Sequence, residues 1–488
     1  MKLYLNPAYA IKPDGNRVLL IARTGLYSLI SNANTSFTGV IHPLHAILLS
    51  FIDGSEKETV IQRASSYLQI SPNIVCSFID RLTNNPEDTG FEYKGQTIGF
   101  PRNLIISKFD YDIPISRYNP DDFLICNPSL KYGRHNTVSS LTLMLNNICT
   151  TKCFYCYADK RIPQNCSISF DRISELISEA KSSNVINFDL IGGEVFLYPY
   201  WEGVLERMVT NDYYPFVSTK MPLSEKTIES FSRFNLPIQF SLDCMNLNIL
   251  RQTLNVNNDY IENVKDMFKN LGKYNVKVAV HSVLHQYNCF PKEIENLFNF
   301  LNNQDNILYW KPDLGNESIY SPLESKGCVT PNPNDIKFVY NKLEELATKA
   351  NIDVKYEGIE PPSVSEDSSK GDMATSITSF LNRAYCAGNF SQLFILPDGK
   401  VTICEELYWH PHFIIGDIKI QSLAEIWQSN SALSLYNVSQ ESISSKSKCR
   451  TCNLFSQCRS EKQICYRDII RKHGVNNWDL PDVNCPLA

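Results

Sequence analysis

At 488 residues the chain exceeds what one hydrophobic core usually serves, so two or three domains are expected. Apolar and charged fractions of 43% and 20% fit a globular protein, and a net charge of −6 argues against a protein whose first task is gripping nucleic-acid phosphates, which takes a strongly basic face. No apolar run reaches the roughly 20 residues of a membrane span, and Pro7 and Pro13 break the N-terminus before a signal-peptide core can form, so the expected location is the cytoplasm, with neither nucleic acid nor membrane as partner.

Residues 1–105 open with strand-like segments, AYAIKP, NRVLLIAR, LYSLIS and TSFTGVIH, and continue with three helical patterns, HPLHAILLSFID, EKETVIQRASSYLQ and SPNIVCSFIDRLTNN. Strands followed by three helices predict a small winged-helix-like module. Residues 106–137 include the Tyr-, Pro- and Asp-rich FDYDIPISRYNPDD and read as a connector. From 138 to 330 strand and helix alternate. The candidate strands are SSLTLMLN, VINFDLIGG, YPFVSTK, PIQFSLD, VKVAVHSVLH and NILYWKPDL, with helical patterns such as FDRISELISEA and DYIENVKDMF between them. Six such units predict an α/β fold, a parallel sheet curled into a partial (β/α)6 TIM-like barrel, with ligands at the C-terminal strand ends. Cys149, Gly192 to Glu194, Ser218 and Asp243 fall after the first four strands on this reading. The helical pattern NDIKFVYNKLEELATKA and the stretch PPSVSEDSSKGD make a linker over 331–380, which leads into a cysteine-rich region at 381–488.

The chain has sixteen cysteines. Cytosolic thiols are kept reduced, so this many in a large intracellular chain read as metal ligands before disulfides. Three sit together at Cys149, Cys153 and Cys156, and seven follow residue 385, at Cys386, Cys404, Cys449, Cys452, Cys458, Cys465 and Cys485. Cys76, Cys126, Cys166, Cys244, Cys289 and Cys328 are scattered and read as small apolar or surface residues.

The segment NNICTTKCFYCYADKR holds C-x3-C-x2-C. Three thiolates on one short loop can bind three irons of a [4Fe–4S] cube and leave the fourth open to a chelating substrate. With Tyr155 just before the last cysteine, the motif resembles that of the radical S-adenosylmethionine (SAM) superfamily. The resemblance implies that the open iron binds the amino and carboxylate groups of SAM, and that reductive cleavage yields a 5′-deoxyadenosyl radical. In DLIGGEVFLYP, Gly192, Gly193 and Glu194 stand where that family has its GGE segment; glycines admit close backbone approach, and a carboxylate can pair with the SAM ammonium. VSTK and FSLD resemble the next two family segments, which makes Ser218, Ser241 and Asp243 candidate contacts to the ribose or carboxylate of SAM, with Arg251 a candidate carboxylate clamp.

The C-terminal segments CAGNFSQLFILPDGKVTICEEL and CRTCNLFSQCRSEKQIC, with IGDI, SLAEIW and a final Cys485, resemble the SPASM extension of peptide-modifying radical SAM proteins. PDGK between two apolar strands is a hairpin signal that brings Cys386 towards Cys404. The resemblance implies two auxiliary [4Fe–4S] clusters, one on Cys386, Cys404 and Cys465, the other on Cys449, Cys452, Cys458 and Cys485. Two departures stand out: the gap from Cys458 to Cys465 is longer than the family's, and Gln392 occupies a place where some relatives have a further cysteine. The first auxiliary cluster thus has three evident ligands and is either open to a substrate thiol or completed by a residue such as Cys328. Glu405, next to Cys404, stands where some relatives place an acidic proton acceptor. C-x2-C with two more cysteines also suits tetrahedral zinc.

In the N-terminal region PDGNRVLLIAR, HPLHAILLSFIDGS and Asp53-Gly54 resemble the PqqD-like element that recognises leader peptides. Such an element takes a leader as an added strand, here along TSFTGVIH. Together these resemblances imply a maturase that abstracts hydrogen from a ribosomally made precursor peptide and installs a thioether, C–C or ether cross-link, with a flavodoxin- or ferredoxin-type electron donor. The alternatives are formylglycine-type maturation of a folded protein and a non-catalytic zinc or nucleic-acid-binding protein.

Overall fold

The computed structural model describes residues 1–30, 32–109, 113–159, 165–320, 327–359, 373–461 and 464–488. The linker stretch PPSVSEDSSKGD lies outside the described residues, as do Ser31 of LYSLIS and Asp110 to Asp112 of the connector. Contacts divide the chain into two compact units, one of residues 1–141, 177–189 and 208–215, the other of 142–176, 190–207 and 216–488. Among the described residues no helix is long and apolar enough to cross a membrane.

The first unit opens with β1 (Lys2–Leu5), β2 (Tyr9–Asp14), β3 (Arg17–Ala22) and β4 (Thr38–Ile41). β2, β3 and β4 form an antiparallel sheet with β3 in the centre and β4 at an edge. The run Val18-Leu19-Leu20-Ile21 explains the central place, because a strand buried on both faces has to be apolar throughout. Helix α1 (Pro43–Ser50) starts where His42 accepts a hydrogen bond from the Leu44 amide and Pro43 supplies a preset φ, and α3 (Pro72–Leu82) is capped by Ser71 in the same way. Between them lie β5 (Asp53–Glu56) and α2 (Lys57–Leu68). Leu20, Ile41, Ala46, Leu49, Val60, Ile79 and Phe100 belong to one core.

The expected strand at LYSLIS is instead a 3₁₀ turn over Gly25–Leu29. Gly25 has φ +62°, and a Cβ there would lie 2.0 Å from the Tyr214 carbonyl oxygen, while the Leu26 amide donates to that oxygen at 2.8 Å. Ser28 closes the turn by donating to the Gly25 carbonyl at 2.7 Å. The expected order of strands and then helices is also interrupted, by β5 and by a hairpin of β6 (Thr89–Tyr93) and β7 (Gln96–Phe100) after the third helix. A short β8 (Ile105–Ile106) pairs with β1.

All six expected strands of the alternating region form: β9 (Ser140–Met144), β10 (Asn187–Ile191), β11 (Val217–Thr219), β12 (Ile238–Ser241), β13 (Val278–Leu284) and β14 (Ile307–Leu314). A short β15 (Asp353–Val354), not anticipated, extends the parallel sheet β11-β12-β13-β14-β15. Between the strands lie α4 (Phe170–Ser182), α5 (Trp201–Thr210), α6 (Glu225–Ser232), α7 (Leu247–Leu254), α8 (Tyr260–Lys273) and α9 (Pro291–Leu301), and α10 (Pro333–Ala347) follows. Register fixes the faces: Phe240, Val280 and Trp310 are cross-strand neighbours, with Phe240 against Phe268 of α8 and Trp310 near Phe298 of α9. Ser218, Gln239, Ser241, His281, Lys311 and Asp313 therefore share the opposite, inner face.

The PDGK hairpin forms as expected, with β16 (Gln392–Ile395) antiparallel to β17 (Lys400–Thr402) and Gly399 at φ +88° in the turn. With β18 (Ile414–Asp417) these strands join β9 and β10 in the order β10-β9-β16-β17-β18. The SLAEIW segment becomes α12 (Leu423–Trp427), started by a capping box between Ser422 and Glu425; α11 (Met373–Leu381), α13 (Asn430–Tyr436) and α14 (Tyr466–His473) complete the region.

Candidate metal centre and SAM site

Cys149, Cys153 and Cys156 lie on the loop after β9, and all three are partly exposed. The Thr151 hydroxyl sits 3.4 Å from the Cys149 sulfur and 3.3 Å from the Cys153 sulfur, so two of the thiols flank one side chain. Backbone bonds anchor the loop to the end of α7: the Lys152 amide donates to the Leu254 carbonyl at 2.8 Å and the Phe154 amide to Thr253 at 3.0 Å. Among the described residues no three His, Cys, Asp or Glu groups converge as a single metal ion would require. Thiols dispersed over one loop suit a cluster, in which each sulfur meets its own iron, better than one tetrahedral zinc.

Behind the loop lies a polar group with one member that sequence reasoning passed over. Lys220 donates to the Asp243 carboxylate at 2.9 Å and to the Tyr155 hydroxyl at 2.6 Å, and Tyr155 hydrogen-bonds the same carboxylate. The Asp243 side chain is fully buried and that of Lys220 is 12% exposed. Burial pushes the Asp243 carboxyl up, but the Lys220 charge and the hydrogen bonds from Tyr155 and the Val283 amide outweigh it and hold it below the usual carboxylate range. Cys153 is raised by burial, an effect that Lys220 opposes. The expected aromatic and acidic residues, Tyr155 and Asp243, thus meet through a lysine whose position in VSTK was visible while its partners were not.

Gly192 and Gly193 follow β10 directly. Asn146 staples this turn to the cysteine loop: its carbonyl accepts from the Gly193 amide at 2.5 Å, and its side-chain oxygen accepts from the Ile148 amide at 3.1 Å. A Cβ on Gly193 would lie 2.3 Å from the Ile148 carbonyl oxygen, one residue before Cys149. Gly193→Ala is therefore expected to displace the cysteine loop, lowering stability by about 1–3 kcal/mol and lowering iron content after reconstitution; an iron-replete alanine variant of unchanged melting temperature would contradict this. Glu194 is 1% exposed and accepts from the Thr219 hydroxyl at 2.8 Å and from the Phe196 amide at 3.4 Å. Burial pushes its carboxyl up to about 7. Thr219 and Asn146 are two further side chains of the site that the sequence did not single out.

Ser218 lies within β11 rather than after it, and Ser241 ends β12; both are half-buried on the inner face. In register with Ser241 is His281, whose Nε2 is 2.6 Å from Asp313; Lys311 meets the same carboxylate at 3.1 Å. Arg251 is exposed in the last turn of α7.

In the cysteine-rich region, Cys386 and Cys465 line one cavity of about 760 Å³ together with Arg383, Arg467 and Asp468. A Cβ on Gly388 would lie 3.7 Å from the Cys386 sulfur and 2.5 Å from the Ile403 carbonyl, which puts the Cys386 loop against the strand end that carries Cys404. Cys449, Cys452, Cys458 and Cys485 line a second pocket. Three polar side chains brace it: Arg383 donates to the Cys458 sulfur at 3.4 Å, Arg459 lies 3.7 Å from the Cys449 sulfur, and Gln440 donates to the carbonyls of Cys449 and Cys452 at 3.0 and 2.9 Å. Both groupings of thiols match the donor chemistry of iron–sulfur ligation. Cys328 does not line the Cys386 cavity; it lies within electrostatic reach of Tyr287, which packs on Phe154 of the first cysteine loop at 5.7 Å. Glu405 is exposed, while Glu406 is ion-paired with Arg467 at 2.7 Å and Arg471 at 3.2 Å. Tyr157 lies within electrostatic reach of Glu405, Glu406, Cys156 and Cys404.

Residues 143–301 match the family described as the Radical SAM superfamily, and residues 386–453 match the SPASM iron-sulfur cluster-binding domain. The chain is 23% identical over 341 residues, 66% of its own length and 87% of the relative's, to a cysteine-type anaerobic sulfatase-maturating enzyme of Clostridium novyi. Its fold is similar to that of Streptococcus suis SuiB bound to S-adenosylmethionine, with 14% identity, a TM-score of 0.62 and 99% of each chain covered. SuiB bound to precursor peptide SuiA gives a TM-score of 0.61 at the same identity and coverage.

Proposed function

From a chain that carries a radical SAM domain and a SPASM domain, and with them [4Fe–4S] clusters and SAM, we propose a maturase that modifies a ribosomally made precursor peptide. The observation that carries it is the loop of Cys149, Cys153 and Cys156 backed by the buried Tyr155–Lys220–Asp243 group. With its open iron, the cluster on that loop supplies, together with bound SAM, a radical that takes hydrogen from unactivated carbon. Gly193 lets the backbone close on the loop, Lys220 holds Tyr155 and Asp243 beside Cys153, and Ser218 and Ser241 offer hydroxyls to SAM on the inner face of the sheet. Cys386, Cys404 and Cys465 hold one auxiliary cluster, and Cys449, Cys452, Cys458 and Cys485 a second. Glu405, exposed beside Cys404, accepts a proton as the new bond closes, and Arg251, exposed in the last turn of α7, meets a SAM carboxylate.

The N-terminal module, a PqqD-like winged-helix element in this reading, holds the leader. β4 is an edge strand of its sheet with intermediate to exposed residues at Thr38, Gly39 and Val40, which supports pairing with an added strand. The SuiB complex with a precursor peptide supports a peptide substrate, and a cross-link is the modification we propose. A flavodoxin- or ferredoxin-type protein supplies the electron. A second reading, oxidation of a cysteine in a sulfatase, is favoured by the similarity to the Clostridium novyi enzyme.

Mass spectrometry separates the two. A candidate precursor peptide, sought among short reading frames beside this gene, and a cysteine-containing sulfatase peptide are each incubated anaerobically with reconstituted enzyme, SAM and a low-potential reductant. A loss of about 2 Da per modification in the neighbouring peptide, with its fragments joined, supports the cross-linking maturase. Modification of the sulfatase peptide alone moves the assignment to the second reading.

A further inference from the structure

Tyr408 follows the turn that carries Cys404, where the Leu407 amide donates to the Cys404 carbonyl at 3.1 Å. It is 0% exposed and packs against Tyr320, Phe394 and Trp409 with ring centroids 5.7, 6.2 and 5.8 Å away. Its φ of +40° lies in a region that a bulky side chain rarely adopts, and such conformations persist where the surroundings over-determine them.

A buried tyrosine hydroxyl almost always finds a partner, because leaving it unpaired forfeits its hydration for nothing. The Tyr408 hydroxyl has no hydrogen-bond partner among the described residues. Its neighbour Tyr320 differs in this respect: that hydroxyl donates to the Leu407 carbonyl at 2.9 Å. Tyr408 shares a buried apolar cluster with Met144, at the end of β9, and Ala158, two residues past Cys156, packs against that cluster. The groups within electrostatic reach of Tyr408 include Cys156 and Tyr157 on the first cysteine loop, and Glu405 and Glu406. Glu406 is already engaged by Arg467 and Arg471, and Glu405 is exposed. None of these groups, Tyr157 included, accepts a hydrogen bond from the Tyr408 hydroxyl, and a cluster held on the Cys156 side would bring the missing acceptor.

We propose that the Tyr408 hydroxyl donates a hydrogen bond to a sulfur on the Cys156 side of the cluster held by Cys149, Cys153 and Cys156, and so raises the reduction potential of that cluster. The inference rests on the placement of that cluster given above. Reduction adds negative charge to the sulfurs, so a donor aimed at them stabilises the reduced state more than the oxidised one. Tyr408 is thus a positioning residue that acts through the cluster and makes its reduction easier.

An anaerobic redox titration tests this, read through the electron paramagnetic resonance signal that SAM alters and that a Cys149→Ala/Cys153→Ala/Cys156→Ala variant is expected to lack. Tyr408→Phe is expected to lower the midpoint potential at unchanged iron content, and Tyr320→Phe, which removes a hydroxyl already partnered by the backbone, to leave it in place. An unchanged potential in iron-replete Tyr408→Phe, or an equal shift in Tyr320→Phe, overturns the proposal. Should Tyr408→Phe fail to retain iron, 3,5-difluorotyrosine at position 408 keeps the shape and strengthens the donor; the potential is then expected to rise, and no change overturns the proposal. Persistence of the SAM-responsive signal in a Cys149→Ala/Cys153→Ala/Cys156→Ala variant would instead remove the underlying cluster placement.

Discussion

Replacing Cys149, Cys153 and Cys156 together by alanine is expected to abolish SAM cleavage and to remove roughly four of about twelve irons per chain, the count for three cubes. The three thiols share one loop, with two sulfurs flanking the Thr151 hydroxyl, while Cys166, further along the same connection, is turned to the Ile168 carbonyl. The other seven candidate ligands line separate pockets or the hairpin end, so their irons are expected to stay. Iron analysis beside chromatography of 5′-deoxyadenosine checks both halves. Full SAM cleavage by the triple variant would place the open iron elsewhere, while loss of nearly all iron would mean that the auxiliary sites do not assemble independently.

Lys220→Met is expected to cost about 3–5 kcal/mol of unfolding free energy, because it strands a buried carboxylate without its counter-charge. Among the described residues Asp243 would keep Tyr155 and the Val283 amide as donors to its carboxylate. The sign of the pH dependence gives a sharper check. In the native protein Asp243 is held below the usual carboxylate range, so its contribution is complete above the unfolded carboxylate range and is lost as pH falls through the folded value. Without Lys220, burial outweighs the two remaining hydrogen bonds and raises the folded value above the unfolded one, so the variant is expected to recover part of its stability as the pH falls from 7 towards the carboxylate range. Denaturant unfolding at several pH values measures this, and Lys220→Met/Asp243→Leu, which leaves no buried charge, is expected to be more stable at pH 7 than Lys220→Met alone. A Lys220→Met protein with native stability at neutral pH would remove the ion pair from its structural role.

The readings that held are those in which a few adjacent residues decide the outcome. C-x3-C-x2-C puts three thiols on one loop whatever the surrounding fold, PDGK turns a hairpin by its own backbone preferences, and six apolar strands separated by amphipathic helices form because period and burial agree within each segment. Where local signals were weak or outvoted, the reading failed. LYSLIS has strand composition, yet Gly25 packs against the Tyr214 carbonyl, nearly two hundred residues on by sequence, and the segment turns instead. The hairpin of β6 and β7 carries a Lys94-Gly95 turn with both φ values positive, a signal that was present and went unread.

Legible in the sequence were the kind of chemistry, which segments alternate, and the presence of radical SAM and SPASM patterns in one chain. How the side chains meet follows from the packing of distant segments. Lys220 reaches Asp243 and Tyr155 because β11 pairs with β12 and the cysteine loop docks on α7. Cys485 joins Cys449, Cys452 and Cys458 across the last turns of the chain, and Tyr408 is sealed in the cluster that packs on Ala158. Ligand spacing is set by the geometry of a few consecutive peptides, whereas the burial of a charge or a hydroxyl depends on which distant surfaces exclude water from it, and that is known only when the chain is folded.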